Sequence, residues 1–278
     1  MSYRMKNALS NLLLYTALML VGLVILLPFF WMLSTAFKPS PEIILRPPRF
    51  LPLKPTLSHF VNALKRIPYF HNLYSSLFVS SWSTVISIFF STMVGYGIAK
   101  FRCIGLNIIF ILILTGLMIP PFTVAIPLYL VAAQIGMVNS LWGVIIPFSI
   151  SNFGIFLMRQ YVVSIPDDLI FAARIDGASE FAILLRVVFP VVSTGCAALG
   201  ILKFMLTWND FFWPLIMLSH DKKKTLQVAL STLIDFEYYV DFGMVMALTT
   251  MIVIPMIIIF LFFQKRIIEG IAITGMKG

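Results

Sequence analysis

An all-α integral membrane protein with six transmembrane helices is the fold class that the sequence predicts, and three observations predict it. Hydrophobic residues are 60% of the 278 and charged residues only 11%, whereas soluble domains carry roughly half and about 25%. Mean hydropathy is +0.99. The apolar residues also come in long blocks, and about 20 consecutive apolar residues let a helix rising about 1.5 Å per residue cross ~30 Å of hydrocarbon.

Six blocks meet that length: 12–34, 75–99, 107–130, 141–160, 188–217 and 243–264. Arg4 and Lys6 precede the first, as in a signal peptide, but the block is too long and lacks a small-residue cleavage site, so it reads as a retained span. The chain then divides into an N-terminal segment 1–11, a first span 12–34, a loop 35–72, a core of five helices over 73–265 and a tail 266–278. Loop 35–72 contains Pro39, Pro41, Pro47, Pro48, Pro52 and Pro55, which favour extended or turn structure. It is expected outside the membrane and not as a separate domain.

In the second span Ser83, Ser87, Ser91, Gly95 and Ala99 recur every four residues and line one helix face with small side chains, which lets another helix approach closely. The third span is interrupted by Pro120, Pro121 and Pro127, each lacking a backbone donor. Carbonyls freed there must be satisfied by protein or by a water-filled cavity. Two readings follow: a bend beside a translocation path, or a kink with a packing role alone.

An even number of spans puts both termini on one side. Ten Lys/Arg fall on the terminus side and nine on the other, but the ten lie mostly in short segments beside span ends, which places both termini in the cytoplasm. The net charge of +9 is scattered over every loop, with no basic stripe interleaved with aromatics, so it argues for membrane-surface contact and against nucleic acid. Cys103 and Cys196 are expected as free thiols, with neither a disulfide framework nor a metal-ligand spacing. His59, His71 and His220 fall in loops and read as solvated surface residues.

Between the fourth and fifth spans the chain reads Ile165-Pro166-Asp167-Asp168-Leu169-Ile170-Phe171-Ala172-Ala173-Arg174-Ile175-Asp176-Gly177-Ala178-Ser179 and continues to Phe189-Pro190. Pro166 suits a first helical turn, Asp167 and Asp168 suit a helix N-terminus, and Gly177 allows the backbone to turn between two short helices. This stretch resembles the cytoplasmic EAA loop of ABC importer permeases, most closely those of the maltose-type carbohydrate group. The pattern matches at Ala172, Ala173, Asp176, Gly177, Ala178 and Pro190 and departs from it at Phe171, where the family usually has a glutamate. Further familiar runs are Ile119-Pro120-Pro121, Ile126-Pro127-Leu128-Tyr129, Phe153 to Gln160, and Trp208-Asn209-Asp210-Phe211-Phe212-Trp213-Pro214, so the likeness extends from about residue 70 to the end.

That resemblance implies a type I ABC permease fold whose loop 165–187 carries coupling helices. Residues 171–173 and 176–178 would dock in a cleft of the ATPase, although the departure at Phe171 puts one polar contact there in doubt. The tail is similar to one that reaches into the ATPase dimer interface, with Gly275 and Lys277 as its contacts; a frayed polar terminus is the plainer reading. Implied partners are a second six-helix permease subunit, a dimer of ABC ATPase subunits that binds ATP and Mg, and an extracytoplasmic solute-binding protein docking on residues 35–72 and 219–242. The setting is the bacterial inner membrane. No GxxxxGK[ST] loop occurs, so ATP hydrolysis belongs to another polypeptide, this chain is no enzyme, and it needs no cofactor of its own.

Polar candidates for a solute path are Asn152 in the fourth span and Lys203, Thr207, Asn209 and Asp210 in the fifth, because ionisable groups at membrane depth usually face a cavity or a partner. Lys203, Thr207 and Asp210 fall at i, i+4 and i+7 and so share one helix face. Asp210 reads equally as a residue of the outer mouth, and Trp208, Phe211 and Trp213 read equally as an interfacial belt or as sugar-stacking platforms. The expected function is half of the membrane path for a sugar or oligosaccharide. The alternative is a stand-alone secondary transporter or channel for a small polar solute, which would show inverted half repeats with corresponding broken helices.

Overall fold

A computed structural model describes the backbone of residues 3–234 and 240–275 and the side chains of 11–234, 240–262 and 264, and among these residues all regular structure is helical. The chain forms two compact units, Met1–Ile67 with Leu230–Pro255, and Pro68–Ala229 with Met256–Gly278.

In the first unit, α1 (Tyr3–Ala36) contains the span Asn11–Ala36 and leaves its leucines and valines exposed on all sides, as suits a helix surrounded by hydrocarbon. The proline-rich stretch is mostly irregular, with one helical turn, α2 (Ser40–Ile43), and a short helix, α3 (Ser58–Arg66). Here the expectation for His59 fails: it is 2% exposed. Its Nε2 lies 2.9 Å from the Lys38 carbonyl and its Nδ1 3.4 Å from Asp241 Oδ1. Composition marked the segment as polar and could not foresee a helix that turns His59 inward. Lys38 is buried too; its Nζ donates to Arg49 O at 2.6 Å and stands 4.2 Å from the centre of the Trp31 ring.

The second unit is built around α4 (Tyr69–Lys100), an unbroken helix of 32 residues. Three bent pairs accompany it, and counting each pair as one span gives up to six spans, by length and composition, among the described residues. The first joins α5 (Ile104–Gly116) to a 3-10 turn (Pro121–Val124) and α6 (Ala125–Gln134) with a bend of 100°. Ile119 precedes a proline and is disfavoured in helix, so α5 stops short of Pro120 and the chain restarts at Pro121. The second joins α7 (Leu141–Ser149) to α8 (Asn152–Val163) at 48°, a break the sequence reading did not foresee. Its cause is local: Ile150 and Ser151 are extended, and the Ser151 hydroxyl caps α8 by accepting from Gly154 N at 2.9 Å.

After α8 come α9 (Asp167–Ile175) and α10 (Glu180–Ile183), then a π turn (Leu184–Val188), α11 (Phe189–Val191) and α12 (Ser193–Trp208), with an 81° bend between Glu180–Val191 and Ser193–Trp208. Pro190 has no N–H for the Arg186 carbonyl, and the wider turn before it absorbs the mismatch. The fifth span, expected as one block over 188–217, is therefore α12 plus a separate short helix, α13 (Phe212–Met217). α14 (Leu226–Ser231) follows, and α15 (Phe242–Gly275) remains helical through most of the stretch expected as a tail; Lys277 lies outside the described residues.

The small-residue face of α4 is buried within the chain itself. Ser83, Ser87, Ser91 and Gly95 are buried, and α4 packs against α8, α12 and α7. Size is what these positions supply: a Cβ on Gly95 would sit 2.8 Å from Arg159 N, and one on Gly154 would sit 2.6 Å from Ser91 Oγ. Among the described residues, the hydroxyls of Ser87 and Ser91 have no hydrogen-bond partner.

Candidate functional site

The loop 165–187 is a folded knob with an anchored side and a free side. Pro166 occupies the N-cap of α9 with Asp167 and Asp168 in the first turn, where the helix dipole favours negative charge. Gly177 follows the helix at φ +79°, and its N–H donates to Arg174 O at 3.0 Å. That left-handed conformation is disfavoured for a residue with a Cβ, which is why glycine stands at the joint. Ser179 then caps α10 by accepting from Ala182 N at 3.3 Å.

Ile170 and Ile183 are buried in a core cluster with Tyr96, Met158, Val162 and Val188, and Ala173 and Ala178 pack against it. Polar contacts add to this anchor. Lys100 Nζ donates to Ile165 O at 2.5 Å and to Asp167 Oδ1 at 2.6 Å. Tyr96 OH donates to Glu180 Oε2 at 2.6 Å, while Arg174 Nε donates to Glu180 Oε1 at 2.7 Å. The Lys100 hydrogen bond holds the Asp167 carboxyl below its ordinary value, and the Glu180 carboxylate raises that of Arg174. On the free side Phe171, Ala172, Ile175, Asp176 and Gly177 are all exposed, with Phe171 at 52% and Ile175 at 86%. Phe171 and Ile175 lie one turn apart and present an apolar ridge.

The second feature is a cavity of about 520 Å³ bordered by Lys203, Thr207, Asn209, Asp210 and Ser83, with Phe122, Phe148, Phe211, Phe212 and Trp213 as its aromatic wall. Lys203 Nζ donates to Phe148 O at 2.6 Å. That carbonyl lies at the end of α7, so the cation meets the negative end of a half-helix at the break in the fourth span. Asp210 Oδ1 accepts from Trp213 N at 3.4 Å, and the Trp213 indole donates to Gly143 O at 3.2 Å. Pro121 and Phe122 bring the bend of the third span to the cavity edge, where Phe122 meets Phe212 edge-to-face at 4.7 Å.

Of the residues expected on a solute path, Lys203, Thr207, Asn209 and Asp210 are brought together and Asn152 is not. The Asn152 amide packs where a Cβ on Gly116 would be, at the end of α5. Because α12 stops at Trp208, Asp210 reaches the cavity from the turn before α13 and not from a continuous helical face. Trp208 is buried against Phe204, whereas Phe211 and Trp213 line the cavity. Sequence reasoning missed Tyr96, Lys100 and Glu180, because the bonds that tie α4 to the loop join residues 65 to 84 positions apart. Gly275 closes α15.

Comparison with known proteins bears on both features. The family described as "Binding-protein-dependent transport system inner membrane component" matches residues 87–272, a range that contains the loop and the cavity residues Lys203 to Trp213. The arabinooligosaccharides transport system permease protein AraQ of Bacillus subtilis is 37% identical over 264 residues, 94% of this chain and 93% of that protein. The lactose transport system permease protein LacG of Rhizobium radiobacter is 28% identical, covering 96% of each. Among solved structures, a bacterial ABC transporter involved in the import of the acidic polysaccharide alginate has a chain of the same fold, with a TM-score of 0.81 at 24% identity over 95% of this chain and 98% of that one.

Proposed function

This chain belongs to the family of binding-protein-dependent transport system inner membrane components, and from that premise we propose that it forms half of the membrane path of an ABC importer for a neutral sugar or oligosaccharide. The observation that carries the reading is the knob at 165–187, whose motif residues Phe171, Ala172, Asp176 and Gly177 face outward while Ile170 and Ile183 lock it to the core. Such a ridge suits the cleft of a nucleotide-binding subunit, which would bind ATP and Mg and hydrolyse ATP. The knob then lies in the cytoplasm, together with both termini. A second permease chain completes the path, and a solute-binding protein docks on the opposite face at residues 35–72 and 219–242. The C-terminal residues Gly275 and Lys277 would reach the ATPase dimer.

Sugar is favoured by the names of the relatives and by the chemistry of the cavity. Among the described residues that line it, the Lys203 cation and the Asp210 carboxylate balance, beside the Asn209 amide, the Ser83 and Thr207 hydroxyls and a wall of aromatic rings. Aromatic faces suit the apolar face of a sugar ring, and the few polar groups suit its hydroxyls. The test is purification of the tagged chain from its native membrane in mild detergent, followed by reconstitution into proteoliposomes. Co-purification of a second six-span chain and an ATPase, with uptake of arabinooligosaccharide that requires ATP inside and binding protein outside, is the expected result. A chain that emerges alone and transports alone would overturn it.

A further inference from the structure

Helix α4 is fastened at both ends. At its start the buried Asn72 donates through Nδ2 to Asp221 O at 2.7 Å and to Lys224 O at 2.9 Å, and the buried Ser76 hydroxyl accepts from Leu226 N at 2.8 Å. Near its end Tyr96 holds Glu180 at 2.6 Å, and Lys100 holds Ile165 O and Asp167 at 2.5 and 2.6 Å. The start is thus tied to the loop proposed to receive the binding protein, and the end to the loop proposed to meet the ATPase. From Asn72 to Tyr96 is about 36 Å along a helix.

Among the described residues, the other spans lying wholly within this unit are bent by 48° to 100°. A bent span absorbs displacement at its break, as hinges do. α4 has no proline and no break, and its length is wedged by small residues against α8, α12 and α7, so it moves as one body. Midway along it, Ser83 borders the cavity.

We infer that α4 is the transmission rod of the importer, with Asn72 and Ser76 as its outer clasp and Tyr96 and Lys100 as its inner one, so that docking outside and ATPase closure inside displace the same helix. None of these four residues is placed in contact with ATP; they act by position. The inference rests on the importer reading, which the wild-type complex tests by itself: ATP hydrolysis stimulated by its binding protein.

A body displaced from both ends carries the loss of either clasp across the membrane, as a reciprocal coupling in binding free energy and, without required symmetry, in rate. The experiment measures ATP hydrolysis by the reconstituted complex while its co-purified binding protein is titrated in the presence of an arabinooligosaccharide mixture. Asn72→Ala is expected to lower the rate at saturating binding protein by about threefold to tenfold, the weight of one or two neutral hydrogen bonds. Tyr96→Phe combined with Lys100→Met is expected to weaken the apparent affinity for binding protein by about tenfold or more, since those bonds involve charged groups. Lys100→Arg should restore most of the loss. Where Asn72→Ala lowers the yield of assembled complex, Ser76→Ala takes its place. Distant, independent sites add, whereas two breaks in one rod do not, so in either readout the outer and inner variants combined should lose no more than the worse of them. Effects confined to each clasp's own side of the membrane, or losses that multiply on combination, would overturn the rod.

Discussion

The knob at 165–187 and the cavity beside α12 are built in opposite ways. The knob is one contiguous stretch whose caps, joint and exposed ridge are specified within about twenty residues of sequence, and only its anchors come from afar. The cavity is a meeting of α4, the 3-10 turn, α6, α7, α12 and α13, and its Lys203 amine is satisfied by a carbonyl 55 residues away. A contiguous site fails at its joint; an assembled one fails at whichever contact holds its pieces in place.

The largest effect should follow from breaking the knob. Gly177→Pro asks proline for a φ of +79° that its ring forbids and removes the donor to Arg174 O, a loss of about 3 kcal/mol or more to the loop. The chain should insert normally and lose ATP-dependent uptake, measured against its abundance in the membrane. Gly177→Ala sharpens the point: a Cβ there meets nothing within 4 Å, so only the left-handed backbone is strained, at about 1–2 kcal/mol.

A smaller effect is expected when the cavity loses its tie. Lys203→Met leaves the Phe148 carbonyl without its amine donor and should destabilise the protein by about 1–3 kcal/mol, read as a lowered midpoint of thermal unfolding in detergent. Asn209→Ala with Asp210→Ala should raise the KM for uptake by roughly tenfold, the weight of one or two hydrogen bonds to solute. Asn152→Ala should leave that KM unchanged, because its amide lies against α5 and not in the cavity. Unchanged uptake in the Asn209 and Asp210 variants at equal abundance would remove the solute path from this cavity.

The smallest effect is on pH. Lys100 lowers the Asp167 carboxyl below its ordinary value, so the contact is fully present above the unfolded carboxylate value of about 3.9 and is lost as pH falls through the lowered one. Between pH 8 and pH 5 assembly of the complex should therefore be flat in wild type, and equally flat in Asp167→Asn, which lacks the contact at every pH.

This contrast also explains what could be read before the structure. Spans were legible because the hydrocarbon sets their length, and the bend at Pro120-Pro121 because proline removes a donor. The knob was legible because Pro166, the two aspartates and Gly177 each have a local reason to be where they are. The break at Ile150 and Ser151 was not, since a serine cap competing with a continuous helix has no periodic signature. His59 was misjudged because burial depends on how α3 turns and not on the polarity around it. The shared face of Lys203, Thr207 and Asp210 needs a helix that continues through Asp210, and α12 ends at Trp208.

The most direct test of the account is a cross-link from the exposed ridge. With Cys103 and Cys196 replaced by serine, a thiol-reactive benzophenone is attached to Ile175→Cys, and to Thr207→Cys in the cavity as a control, in membranes that contain the whole complex. Illumination should join the chain to the ATPase subunit from position 175 and not from position 207. Absence of that product from position 175, in membranes where uptake is intact, would contradict the assignment of the knob as the surface that meets the ATPase.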